Sequence, residues 1–146
     1  MKRLSIPFAL LLWTGACTSQ TVADRSLMPV APTLTVERFL QAANIRDLDT
    51  MSRLFGTDDG PILETANREE VELRMDLIAE ILQHDDYEIV SDRIVPGAAT
   101  QSNRIGVDLV LPGGARVEDV GFTVVLESPN RWLVNVIELV KITEAD

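Results

Sequence analysis

VEDVGFTVVLESPNRWLVNVIELVKI, running from Val117 to Ile142, decides the fold of this chain. Its first arm places Val120, Phe122, Val124 and Leu126 on one side, and its second arm Trp132, Val134, Val136, Val140 and Ile142. Alternation with period two over this length predicts two strands that each bury one face. Between them, Glu127-Ser128-Pro129-Asn130-Arg131 supplies a turn. Proline presets φ at its first central position and asparagine suits the second. Two registers are open. The even one sets Glu138 opposite Phe122, Val136 opposite Val124 and Val134 opposite Leu126, an apolar face holding one carboxylate. The odd one offers Glu118 opposite Lys141.

Two more strand-like runs precede the hairpin. Tyr87 to Val95 stops at Pro96-Gly97, and Arg104 to Leu111 alternates Ile105, Val107, Leu109 and Leu111 before Pro112-Gly113-Gly114. Turn signals this close together imply antiparallel neighbours in a four-stranded meander. Further upstream the period changes to that of helices. Thr35 is placed to cap a helix ending near Asn44, with Val36, Phe39, Leu40 and Ala43 as its apolar stripe. A second helix from about Asp47 carries Leu48, Met51, Leu54 and Phe55, and Gly56 is placed to end it with a positive φ. The third has the capping-box spacing Asn67/Glu70 and the stripe Val71, Met75, Ile78 and Leu82, ending near His84-Asp85-Asp86. The expected fold is α+β: three N-terminal helices packed on one face of a curved four-stranded antiparallel meander.

The N-terminus has a different grammar. Met1-Lys2-Arg3 is a basic leader, Leu4 to Trp13 is apolar, and Thr14-Gly15-Ala16-Cys17 follows. Ten apolar residues are too few to span a bilayer, which takes roughly 20 in a helix. Residues 1–16 are therefore expected to be an export signal, outside the fold. The cysteine after the small pair Gly15-Ala16 resembles a bacterial lipoprotein lipobox, although Thr14 stands where that pattern usually has leucine. The resemblance implies that Cys17 is acylated by palmitate-type chains and becomes the mature N-terminus. Ordinary cleavage after Ala16 is the alternative. Thr18 is not aspartate, so the family's inner-membrane retention signal is missing and the outer membrane is the expected address, with the domain facing the periplasm. Residues 17–34, polar and carrying Pro29 and Pro32, are expected to form a flexible tether, leaving 35–146 as the domain.

Charge limits the partners. The chain carries a net charge of −10, and loss of Lys2 and Arg3 with the leader makes the remainder more negative by two. That argues against nucleic acid and against electrostatic adhesion to anionic lipid. A single cysteine and a single histidine allow neither an internal disulfide nor a Cys/His zinc cluster. No cofactor or metal is expected. Asp58-Asp59-Gly60 hints at a calcium loop but lacks the EF-hand spacing, and is expected to be a solvated turn.

Phe39-Leu40 with Ala42-Ala43, Asp47 with Leu54-Phe55, and a curved sheet ending in Trp132-Leu133-Val134 together resemble the nuclear transport factor 2-like superfamily, in particular its small bacterial lipoproteins. The resemblance spans roughly Thr35 to Ile142. It implies a cone-like fold whose bent sheet wraps around helices and whose interior can hold a small molecule. The superfamily's enzymes place an aspartate or histidine inside the cone, and neither matches onto this chain.

Among candidate chemical residues, His84 beside Asp85 and Asp86 is expected to be an exposed histidine at a helix end, its charged form favoured. Asp47 and Asp49 are expected to be helix-start acids. Glu138 is the one charge in the Trp132/Val134/Val136/Val140/Ile142 row, and so the candidate acid or base. Three function classes follow. The first is a non-enzymatic, membrane-tethered domain binding a partner protein or a small apolar ligand. The second is a small isomerase or lyase using Glu138. The third is an assembly lipoprotein forming a homodimer through Leu133, Ile137 and Leu139 on the other face of the last strand.

Overall fold

The structure is a computed structural model and describes residues 31–145. Five helices and six strands follow one another along the chain. They are α1 (Pro32–Asn44), α2 (Leu48–Leu54), β1 (Gly56–Thr57), β2 (Gly60–Pro61), α3 (Ile62–Thr65) and α4 (Arg68–Ile81), then β3 (Asp86–Ile94), β4 (Ser102–Val110), β5 (Arg116–Ser128), β6 (Arg131–Ile137) and α5 (Val140–Thr143). The fold is α+β, as expected, with β3-β4-β5-β6 as an antiparallel meander. Two short helices, α3 and α5, add to the three read from the sequence. Residues 1–16, Cys17 and the tether up to Val30 lie outside the described residues.

The core forms where the helical stripes meet the inner sheet face. Val36, Phe39, Leu40 and Ala43 of α1 join Val71, Met75 and Ile78 of α4 and Ile105, Val107, Leu109, Val120, Phe122 and Val124 of the sheet. α1 packs on β4, β5 and β6, and α4 packs on α1 and α2. α1 begins three residues earlier than Thr35. Pro32 sits in the first helical turn, where its missing N–H costs nothing, and no side chain caps the end. Thr35 is instead buried inside the helix. The other two helices start where read: Asp47 caps α2 through the Thr50 amide, and Asn67 caps α4, though through the Glu69 amide and not through the Glu70 amide that a capping box uses. Gly56 does not end α2 with a positive φ. It lies in β1, where a Cβ would run into the Gly60 carbonyl and come within 2.8 Å of Pro61 Cα. Close approach, not φ, requires glycine there. Asp58-Asp59 is the turn of the β1–β2 hairpin.

The opening hairpin forms with the two-residue turn Pro129-Asn130, but its register changes along its length. Near the turn Leu126 pairs with Trp132 and Val124 with Val134; further out Thr123 pairs with Val136 and Phe122 with Ile137. Asn135 is the extra residue. One extra residue moves every later side chain to the opposite face. Trp132 and Val134 therefore point into the core, whereas Val136 is 52% exposed and Ile137 turns inward. Glu138 consequently is not opposite Phe122 and does not lie in the apolar row. The strand also ends at Ile137, five residues early, and α5 returns Ile142 to the core while leaving Val140 exposed. Every neighbouring strand pair of the four-stranded sheet carries a register shift of this kind.

Candidate functional site

A groove of about 540 Å³ opens between the outer side of α4 and the end of β6. Leu73, Leu77 and Ile81 come from the helix, Val136, Ile137 and Leu139 from the strand end, and Phe55 from the end of α2. Its polar lining is limited to Glu70, Arg74 and Asn135. Two local features create these walls. On α4, Leu73, Leu77 and Ile81 follow at intervals of four, a second apolar ridge beside the core stripe. On β6, the extra residue Asn135 turns Val136 outward, and its side-chain amide donates to the Gly56 carbonyl at 2.8 Å, tying the rim to β1. Leu73 is 64% and Leu77 54% exposed. The groove is open, unlike a closed ligand cavity, which buries most of its occupant. A second hollow continues along α4, sharing Leu77 and Ile81 and reaching Gln83, Ile142 and Thr143.

Glu138 lies outside this groove, on the sheet face that carries Arg104 and Gly121. Arg104 Nε donates to its Oε1 at 3.1 Å and Nη2 to its Oε2 at 3.0 Å, while Lys141 Nζ stands 3.1 Å from the same carboxylate. The Gly121 amide adds a longer bond at 3.3 Å. Arg104 also holds Asp119 at 3.0 Å, and Lys141 donates to the Asp119 carbonyl. Hydrogen bonding to Arg104 holds both the Glu138 and the Asp119 carboxyl below their ordinary range, against a smaller opposing effect of burial. Glu138 raises the Arg104 guanidinium in return. Space for the cluster comes from the paired Gly106 and Gly121, since a Cβ on either would overlap the Asp119 or Glu138 carboxylate. A carboxylate this heavily engaged, and held ionised, is not a poised general acid.

His84 also departs from expectation. It is 7% exposed, with its ring edge-on to Tyr87 at a centroid distance of 5.5 Å. Its Nδ1 donates to the Leu82 carbonyl at 2.7 Å, because a carbonyl can only accept. Asn44 at the end of α1 accepts from the His84 amide at 3.1 Å, which fixes its own amide orientation. Its nitrogen therefore donates to His84 Nε2 at 3.2 Å and to the His84 carbonyl at 2.9 Å. These bonds make His84 a clamp between the ends of α1 and α4. Gln83 reinforces it by donating to the Ala43 and Ala79 carbonyls, each at 2.9 Å.

Asp47 and Asp49 behave as helix-start acids. Asp47 accepts from the Thr50 hydroxyl at 2.6 Å and amide at 3.0 Å, bonds that lower its pKa, and Asp49 pairs with Arg53. No group of three His, Cys, Asp or Glu residues able to hold a metal ion occurs among the described residues. Leu133 is fully buried, and Ile137 and Leu139 pack against the core, so these residues do not form an exposed apolar sheet face.

Sequence reasoning missed Leu73, Leu77 and Arg104. The Leu73/Leu77/Ile81 spacing was the available signal for the first two; nothing in the sequence marked Arg104 as the partner of a glutamate 34 residues away. Among the described residues no helix is long and apolar enough to cross a membrane. Compared with known proteins, the chain matches no family model and no curated protein.

Proposed function

We propose that the chain is a non-enzymatic binding domain of the cell envelope, held to a membrane by acyl chains on Cys17, and that the groove between α4 and β6 is where it binds. The observation that carries this is the pairing of Leu73 and Leu77 with Val136 across an apolar groove of about 540 Å³, all three more than half exposed. On a chain of net charge −10, such a patch is unusual unless it is covered in use. We place the fold with the cone-like nuclear transport factor 2-like proteins. The α+β meander and the bulges that bend its strands support that placement. The isomerase or lyase reading rests on Glu138, which lies outside the groove; the acid that does line it, Glu70, is exposed.

Binding is tested with methyl-labelled protein titrated with a neutral alkyl glycoside. Shifts are expected at Leu73, Leu77, Val136 and Ile137, and their loss in Leu77→Glu. Shifts spread over the surface, or none, would overturn the groove as the site. The anchor is tested separately. Wild type should take up labelled fatty acid and sediment with membranes, the outer membrane in particular, whereas Cys17→Ser should do neither. Unlabelled wild-type protein would replace the anchor with simple secretion.

A further inference from the structure

We propose that the occupant of the groove is a basic amphipathic helix of a partner protein, an inference that rests on the binding function above. The groove and its continuation follow α4 from Glu70 to Ile81, about 17 Å at 1.5 Å per residue, and reach Gln83 just past its end. That length suits about three turns of a second helix and exceeds what a compact small molecule fills. Its long wall is a helical ridge, Leu73-Leu77-Ile81, and ridges at this spacing pack into the grooves of another helix. Strand addition is disfavoured by the opposite wall. β6 is the sheet edge, but Phe55 bridges it at Val134 and the Asn135 side chain ties it to Gly56, so β1 covers this part of the edge. Only Val136 and Ile137 remain before the strand ends, less than the usual strand of about 5 residues.

Charge selects the kind of helix. Glu70 and Glu80 stand at the two ends of the groove, about 15 Å apart along α4, with Arg74 between them. None of the three makes an ion pair among the described residues. α4 as a whole carries Glu69, Glu70, Glu72, Asp76 and Glu80 against Arg68 and Arg74. A helix with an apolar stripe and lysine or arginine toward both ends complements this rim. A second copy of this chain does not: two molecules of charge −10 would bring acidic rims together. The pattern is that of an amphipathic helix laid by its apolar face into a groove, with charges at the margin setting partner choice.

The test uses the full chain held in neutral-lipid nanodiscs, with empty nanodiscs as the blank. The probe is a fluorescent synthetic helix about 16 residues long, enough to cover the groove. It has leucines at intervals of four and lysines near each end. Its twin replaces lysine by glutamate, and a control keeps the composition but breaks the stripe. By anisotropy the basic helix should bind at least about tenfold more tightly than its acidic twin at low salt, with a gap that narrows as salt rises. Leu73→Glu with Leu77→Glu should lose binding at least about tenfold; both positions are exposed, and circular dichroism confirms that the variant folds. Glu70→Lys with Glu80→Lys should reverse the preference. Equal binding of the twins would overturn the basic partner while leaving the groove. Absence of helix binding, with alkyl glycoside shifts still present, would overturn a helical partner. Loss of both would remove the binding function itself. Self-association of wild type that Leu77→Glu abolishes would replace the partner with a second copy.

Discussion

Val134 and Val136 occupy the same parity of one strand, and the structure gives them opposite fates. Val134 is fully buried in the core, and Val136 stands on the groove wall. Truncating Val134 to alanine removes two buried carbons worth about 0.8 kcal/mol each in transfer, and the cavity left behind adds to that, giving roughly 2–3 kcal/mol. The same truncation at Val136 removes carbons already half in water and opens no cavity, so it should cost under about 1 kcal/mol. Aspartate widens the contrast. At Val134 it would bury a lone carboxylate at a cost of several kcal/mol, a large part of the roughly 6–17 kcal/mol expected for a domain of this size. At Val136 it should leave folding nearly intact and damage the groove instead. Urea denaturation of the two alanine variants decides the matter, provided their m-values agree with wild type. Equal losses at the two positions, or a larger loss at Val136, would mean that Asn135 is not the bulged residue and that the strand keeps one face throughout.

Three further outcomes are expected. Glu138 has a folded pKa lowered chiefly by Arg104, so its stabilisation is complete above the unfolded value of ~4.3 and lost as pH falls through the folded value. Glu138→Gln should therefore destabilise at pH 7.5 by no more than about 1 kcal/mol, because the pair is solvent-screened. The gap should narrow as pH falls below the unfolded value of ~4.3; a stabilised variant at pH 7.5 in chemical denaturation would reverse the assignment. Asn44→Ala strands the His84 amide and ring nitrogen and should cost about 1–3 kcal/mol. A double-mutant cycle with His84→Ala should show coupling above about 0.5 kcal/mol, and strict additivity would contradict the clamp. Gly56→Ala collides with backbone and should lower the melting temperature clearly, whereas Gly121→Ala meets the side-chain ends of Glu138 and Arg104, which can shift aside, and should cost less; equal shifts in a thermal scan would contradict that difference.

The parts of the fold that could be read from sequence are those in which burial repeats with a fixed period. The α4 stripe Val71, Met75, Ile78 and Leu82 is buried throughout, as is the Ile105/Val107/Leu109 row of β4. Side chains that face one core for several turns or pleats leave that signature whatever the details of pairing. What could not be read depends on single residues. The alternation Trp132, Val134, Val136 continues unbroken across Asn135, so composition alone gives no sign that the strand gains a residue there. Aspartate, glutamate and histidine near a helix end suggest solvent. His84 is buried because Asn44, 40 residues away, supplies the partners it needs. The groove was half visible, as a helix with one more leucine ridge than its core contact requires.

The extra residue at Asn135 links the two faces of the molecule. If β6 continued without it, Val136 would enter the core and Ile137 would stand outside. Glu138 would then fall on the apolar face, where an unpaired carboxylate is costly. With it, Val136 completes the groove wall, and Ile137 and Leu139 reach the core. Glu138 emerges on the outer face within reach of Arg104 and Lys141. That ion cluster sits between the end of β6 and the start of α5, and Lys141 belongs to α5 itself. It therefore holds the chain reversal that carries Ile142 back to the core and sets Leu139 in the groove. Glu138 matters to binding through position rather than chemistry. Removing its charge should loosen the groove wall at Leu139 without touching any occupant, and methyl shifts at Leu139 and Ile142 in Glu138→Gln, with Leu73 unmoved, are the expected sign. Backbone amide shifts confined to Gly121 and Arg104, with the Leu139 and Ile142 methyls unmoved, would show that the cluster and the groove are independent.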